Sequence, residues 1–287
     1  MSSSHQKPIQ VVLVETAPAD RPGSMQRYAD LVETCFEHHP DVIIERVSVA
    51  PTAKSLQSWP ARLRNLKHHA TICLRTRALH HRRPRPLFHV VDGSHAYAAL
   101  WLPKDRTIVT AHDVIPLLQS LGKFAVPPPG RQARWLIQQS LRGLARSTRI
   151  VAVSKRTLDD LAEYACISAE KMQVVPLALP RELQPPGSNA EIAMRVDDLR
   201  KNSEPFLFHI GNNGFYKNRG GVVRIFDLVR QQLSTPLRLK LAGPPLDDAL
   251  WQLIQERQLE QLVDVLVDVD DAHLVKLYQS MQTDKLL

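Results

Sequence analysis

The chain has 287 residues, 44% of them hydrophobic and 23% charged, and its 37 Lys and Arg against 29 Asp and Glu leave a net charge of +8. That apolar content excludes a mainly disordered chain and suffices for one large domain or two ordinary ones, each with its own core. No apolar run is long enough to span a bilayer, and Cys35, Cys73 and Cys166, far apart and without a CxxC pair, exclude a disulfide framework or a zinc knuckle.

The opening "MSSSHQKPIQVVLVE" runs into strand-like sequence without a signal-peptide core, so the expected location is cytoplasmic. "IQVVLVET" reads as the first strand, "ADRPGSM" as a loop, and "MQRYADLVETCFEHH" as a helix with Tyr28, Leu31, Val32 and Cys35 on one face. All three thiols are expected to be buried or half-buried. "DVIIERVSV" is a second strand. The stretch Arg62 to Pro86, "RLRNLKHHATICLRTRALHHRRPRP", is helical in its larger part and holds much of the positive excess, ending in Arg82, Arg83 and Arg85. Such a patch can meet anionic lipid, nucleic acid or a phosphorylated substrate, or be a solvated helix face. Aromatic residues are not interleaved as base-stacking platforms, so no nucleic-acid partner is expected.

"LFHVVDG" and "RTIVTAHD" follow as short, nearly continuous apolar runs ending in polar residues, the pattern of buried parallel strands with a ligand side at their carboxyl ends. "PPPGRQARWLIQQSLRGLAR" gives a turn and a helix, "RIVAVS" a strand, "KRTLDDLAEYA" a helix and "KMQVVPLALP" a strand. The proline- and charge-rich stretch 184–205 is the expected linker. Beyond it "PFLFHIG", "PLRLKLAG" and "LVDVLVDV" read as strands, each followed by a helix: "RGGVVRIFDLVRQQL", "DDALWQLIQERQLE" and "DAHLVKLYQSM". The class is α/β with mainly parallel sheets, in two domains covering 1–183 and 206–287, the second short.

The loop "GNNGFYKNRGG", Gly211 to Gly221, stands between a strand and a helix, where glycine-freed N–H groups and the positive end of a helix can face an anion. It is neither a Walker A nor a GxGxxG motif, because Tyr216 takes the second glycine's place, Asn218 replaces the Ser/Thr, and Asn213 takes the middle glycine. Lys217 either reaches a diphosphate or is an exposed loop charge. His112, at a strand end before Asp113, either donates to a sugar hydroxyl or a developing charge, or fills a wall while Asp113 caps a turn. Gly23 is a turn residue or lets backbone approach a ligand. The pairs His38-His39, His68-His69 and His80-His81 point about 100° apart on a helix, so each is expected to offer one ligand to any given site, and no metal is expected.

Taken in order, "GSMQRYADLV", "RTIVTAHDVIPLL", "IVAVSKRTLDDLAEYACISAEKMQVVPLALP", "FLFHIGNNGFYKNRGGVVRIFDLV" and "LKLAGPPL" through "VDDAHLVKLYQSM" resemble the group 1 (family 4) retaining glycosyltransferases over nearly the whole chain. The resemblance implies a GT-B architecture of two Rossmann-like domains, acceptor side first and nucleotide-sugar side second. It implies that Lys217 meets the donor diphosphate, that His112 lies near the transferred sugar and Gly23 near the phosphates, and that Gly211, Asn212, Arg219, Gly243 and Asp270 belong to the donor side. Arg82, Arg83 and Arg85 fall to an acceptor or an anionic membrane surface. The implied partners are a nucleotide-sugar donor as co-substrate and a saccharide or lipid-linked acceptor, with peripheral membrane contact and no cofactor or metal. The implied pathway is polysaccharide or glycolipid synthesis.

Two departures stand out. Asn212 occupies the place of the family's usual arginine, with Arg219 as a substitute, and the paired-glutamate segment would lie beyond "SMQTDKLL". The alternative reading is therefore a shortened, non-catalytic GT-B protein that binds anionic glycolipid or phosphosugar.

Overall fold

In strand β1 (Ile9–Glu15), Val12 and Val14 turn to one face and Leu13 to the other, and all three are buried, so the strand must be covered on both sides. The structure, a computed structural model, describes residues 8–20, 23–83, 85–178, 205–234 and 236–280. β1 pairs in parallel with β2 (Val42–Ser48) and β3 (Leu87–Val90). The sheet continues through β4 (Thr107–Ala111) and β5 (Arg149–Ala152) to β6 (Met172–Val174), in the order β2-β1-β3-β4-β5-β6. From β1 the chain moves outward to β2 and then returns to the opposite side at β3. This reversal makes the carboxyl ends of β1 and β3 a topological switch point, where open α/β sheets bind ligands.

Helices α1 (Ser24–Phe36), α2 (Ala53–Gln57), α3 (Ala61–Leu79), α4 (Ile115–Ser120), α5 (Arg131–Arg146) and α6 (Lys155–Ala165) alternate with these strands. Leu13 packs on Ala29 of α1 with Tyr28 and Val32, whereas Val12 and Val14 join a larger core containing Ile72, Phe88, Leu144 and Leu161. Fully burying side chains of this size stabilises a fold by about 1.5–3 kcal/mol each. A segment absent from the sequence reading, the 3-10 stretch Gly93–Trp101, is buried at Ala96, Tyr97, Ala98 and Ala99. It lies directly under α5: a Cβ on Gly143 would stand 1.9 Å from the Ala96 carbonyl oxygen, so only glycine permits this approach.

The first compact unit ends at Ala178. The linker expected over 184–205 lies, up to Glu204, outside the described residues. In the second unit β7 (Phe206–Ile210), β8 (Arg238–Ala242) and β9 (Val263–Leu266) form a three-stranded parallel sheet in sequence order, with helices α7 (Arg219–Gln232), α8 (Asp248–Glu256) and α9 (Asp271–Ser280). Leu239 and Leu241 of β8 pack on Val223 and Phe226 of α7 and Leu250 and Ile254 of α8. Asp227 of α7 ties the two helices together, accepting from Arg230 at 2.9 Å and from Arg257 at 2.6 Å. Among the described residues, no helix is long and apolar enough to cross a membrane.

Three expectations are corrected. β6 has three residues rather than the whole run to Pro180, because Pro176 has no N–H to extend an edge ladder. α8 stops at Glu256 instead of running through Glu260, since Gln258 takes a left-handed φ of 54° that ends the helix. Cys35 and Cys166 are exposed and only Cys73 is half-buried. Cys35 lies in the last turn of α1, past the buried Ala29, and Cys166 is the left-handed cap of α6, with φ 53°.

Candidate functional site

The loop that follows β7 is shaped by its own asparagines. Asn212 Oδ1 accepts the Gly214 N–H at 2.9 Å and its Nδ2 donates to Tyr216 Oη, while Asn213 Nδ2 donates to the Pro245 carbonyl at 2.9 Å. Asn218, itself left-handed at φ 47°, caps α7 by accepting the Gly221 N–H at 3.2 Å. The α7 amino end therefore opens onto this loop, with the positive end of its dipole.

Two cationic side chains stand at this loop. Arg219, the first residue of α7, is only 4% exposed, and its Nη1 donates to Asn213 Oδ1 and to the Pro244 carbonyl at 3.1 Å. Its Nε and Nη2 are buried with no hydrogen-bond partner among the described residues, and His209 Nε2, at the end of β7, is in the same condition. Burial, only partly countered by Asp247, pulls the Arg219 pKa below its ordinary value, and burial followed by the charges of Arg219 and Lys217 lowers that of His209. A buried cation with unpaired donors is costly unless an anion completes it.

Lys217 supplies a second charge. Its stem folds over Gly211, where an added Cβ would meet Lys217 Cγ and Cδ at 3.1 Å and His209 Nε2 at 3.3 Å. The ammonium stands 5.6 Å from the Tyr216 ring centroid and is exposed. Gly243, after β8, lies back to back with Gly211: its φ is +139°, and a Cβ there would come 2.2 Å from the Gly211 carbonyl oxygen. A cavity of about 270 Å³ opens beside the loop, lined by Asn213, Arg219, Arg224 and Asp247 among others.

The expected site residues divide accordingly. Gly211, Lys217, Arg219 and Gly243 come together, joined by His209, which reads from sequence only as part of the strand "PFLFHIG". Asn212 belongs to the same loop, with its side chain spent on the turn. Asp270 is exposed and caps α9, accepting the His273 N–H at 2.7 Å. Gly23 precedes α1 in an extended conformation at φ −164°, which any residue adopts. Arg82 pairs with Glu45, and Arg83 and Arg85 are exposed.

In the first unit, His112 follows β4, and its Nε2–H donates to the Val91 carbonyl at 2.9 Å, so the ring bridges the ends of β3 and β4 beside the switch point. Tyr28 packs edge-on against it at 4.8 Å. With Nε2 engaged, Nδ1 of the neutral ring is an acceptor, and the donor role expected from sequence requires the protonated ring. Asp113 does cap a turn, accepting the Ile115 N–H at 3.0 Å.

Behind His112, buried His89 bonds Thr110 Oγ1 at 2.7 Å, and burial followed by the His112 charge pushes its pKa down from 6.5 to about 4. Between these values the unfolded chain binds the extra proton, so stability is expected to fall as pH drops from 6.5 to 4, by up to about 1.4 kcal/mol per pH unit. Denaturant unfolding at several pH values should show a shallower fall for His89→Asn. Equal slopes in both proteins would mean that His89 is not held neutral.

The histidine pairs correct the sequence argument on one point. His68 and His69 of α3 both turn toward His95 of the 3-10 stretch, and one ligand nitrogen from each lies within 4.8 Å of the others. Neighbouring Cα–Cβ bonds diverge, but the two further rotations of a histidine side chain bring the rings back together.

The family model described as Glycosyltransferase Family 4 matches residues 6–182, more than half of the chain. The chain belongs to glycosyltransferase family 4. No curated protein matches this family 4 chain by sequence. Among solved structures, HepE from Anabaena, in complex with UDP and glucose, aligns with TM-score 0.59 at 14% identity, covering 95% of this chain and 72% of its own. WaaG, a glycosyltransferase involved in lipopolysaccharide biosynthesis, aligns with TM-score 0.61 at 14% identity, covering 95% of this chain and 73% of its own. A glycosyltransferase from Rickettsia africae aligns with TM-score 0.56 at 13% identity, covering 96% and 72%. At these identities the likeness concerns fold, and it assigns the two parallel-sheet units of this glycosyltransferase to the GT-B class, the second unit being the smaller.

Proposed function

We propose that this family 4 glycosyltransferase moves a sugar, with retention, from a nucleotide-sugar donor to a saccharide or lipid-linked acceptor in polysaccharide or glycolipid synthesis. The observation that carries the reading is the buried Arg219 guanidinium, with Nε and Nη2 unpaired among the described residues, at the start of α7 beside the loop residue Lys217 and His209 of β7. A diphosphate supplies the acceptor oxygens that these donors lack, and HepE, of the same fold, is seen with UDP-glucose.

Glycosyl transfer breaks the bond between the anomeric carbon and the diphosphate oxygen, and negative charge grows on the leaving group. Lys217, Arg219 and the α7 amino end stabilise that charge through fixed positive groups, so no metal is needed at the diphosphate. With retention, the leaving phosphate oxygen takes the acceptor hydroxyl proton on the same face of the sugar, and no pair of carboxylates is required. In this reading His112, with Nε2 bonded to the Val91 carbonyl, offers Nδ1 to a sugar hydroxyl. Attachment to the inner membrane face through Arg83 and Arg85 would bring a lipid-linked acceptor to a cytoplasmic enzyme.

Release of UDP or GDP from a panel of nucleotide sugars tests the reading. Lys217→Ala is expected to lower release about 10-fold, the weight of one exposed charge-assisted contact. Equal release by the two proteins would remove Lys217 from the site.

A further inference from the structure

His68 and His69 lie on α3 and His95 on the buried 3-10 stretch Gly93–Trp101, with each ring half-buried. Their ring centroids are 5.2 Å apart for His68–His69, 5.6 Å for His68–His95 and 6.0 Å for His69–His95. Three imidazoles bound tetrahedrally to one zinc ion, with Zn–N of about 2.0–2.1 Å, have centroids roughly 5 Å apart and nitrogens roughly 3.3 Å apart. The rings are thus almost at ligating separation. The nitrogens, within 4.8 Å of one another, need to close by a further ~1.5 Å through side-chain rotation.

Two of the three rings have a hydrogen-bond partner at Nδ1. His95 Nδ1–H donates to Asp92 Oδ2 at 2.7 Å, and Asp92 is only 8% exposed and also accepts the Ser94 N–H at 2.8 Å. A carboxylate behind a histidine fixes the ring and directs the Nε2 lone pair away from it. His69 Nδ1 is paired with Tyr97 Oη at 2.8 Å, and in the tautomer whose Nδ1–H donates to the phenol oxygen its Nε2 carries the lone pair. His68 Nδ1 is buried with no hydrogen-bond partner among the described residues.

We propose that His68, His69 and His95 form a binding site for a divalent transition metal of the zinc class, with Asp92 and Tyr97 orienting two of the ligands. Three neutral nitrogen ligands suit zinc, cobalt, nickel or copper and are poor partners for magnesium or calcium, which take oxygen. A fourth position remains for water or a ligand group. His69 and His95 also line a cavity of about 280 Å³ with Ser94, Tyr97 and Asp113, so a molecule in that cavity has a route to the ion. The site lies wholly in the first unit and is independent of the diphosphate loop in the second.

The test uses the full chain stripped with chelator and titrated with Zn²⁺ in a calorimeter, and with Co²⁺ by visible spectroscopy. One tight equivalent is expected, with a raised melting temperature and a tetrahedral Co²⁺ spectrum. His68→Gln with His95→Gln is expected to weaken binding at least 100-fold. Asp92→Asn keeps all three ligands and is expected to weaken it about 10–100-fold. His80→Ala with His81→Ala, at the end of α3, is expected to bind as the parent does. X-ray absorption at the zinc edge of the unaltered protein should show three imidazoles, a result that depends on no variant folding. Absence of a tight equivalent, retention of it by the His68/His95 variant, loss of it in the His80/His81 variant, or sulfur or all-oxygen coordination would each overturn the proposal.

Discussion

Arg219→Met is expected to weaken UDP or GDP binding by roughly 100-fold, two unpaired N–H donors to a charged phosphate being worth about 1.5 kcal/mol each. The same substitution should leave the melting temperature within a few degrees of the parent. In the free protein the guanidinium is buried, and only its Nη1 is bonded, to Asn213 and Pro244. Methionine gives up those bonds but also removes a buried charge and two unsatisfied donors, and its length keeps most of the packing. A group held for a ligand weakens binding more than stability when lost, whereas a purely structural arginine does the reverse. Titration calorimetry with UDP and GDP, beside thermal melts, separates the cases. A large fall in melting temperature with affinity intact would make Arg219 a structural residue and withdraw the diphosphate reading.

That arginine shows how far the sequence could be read. Strand and helix order followed from apolar runs and 3.6-residue spacing, because β1, β3, β4 and α7 each bury a face that their own pattern announces. Lys217 and Arg219 were legible as charges in a loop after a strand. Their inequality was not, since burial of Arg219 depends on Asn213 and Pro244, residues 6 and 25 positions away. His209 had no signal at all: alternation makes it one more strand residue, and it matters only because the Lys217 stem folds over Gly211. "GSHAYAALW" has neither helical nor strand period, so the stretch Gly93–Trp101 was invisible, and with it the partner His95 that joins His68 and His69. Local patterns write elements into the sequence, while meetings between elements are fixed only by packing.

Gly243→Ala is expected to destabilise the second unit by roughly 3–5 kcal/mol, combining a left-handed backbone that alanine resists with an overpacked contact. At φ +139° the new Cβ would stand 2.2 Å from the Gly211 carbonyl oxygen, and that atom is backbone with nowhere to rotate. The obstruction falls where Gly211 N–H donates to the Ala242 carbonyl at 3.0 Å and Gly243 N–H to the Leu266 carbonyl at 3.0 Å, so separating the loops also loosens the ends of all three strands. Relief by moving Gly211 would carry the Lys217 stem with it, and nucleotide affinity should fall together with stability. Gly220→Ala, in the first turn of α7, is the internal control: its Cβ meets only Arg224 Nη1 at 3.4 Å and Leu253 Cδ2 at 3.8 Å. It should change stability by less than about 1 kcal/mol, in the stabilising direction that helix propensity gives alanine. Urea unfolding of the three proteins measures the contrast, and a Gly243→Ala protein as stable as Gly220→Ala would mean that the two loops do not meet back to back.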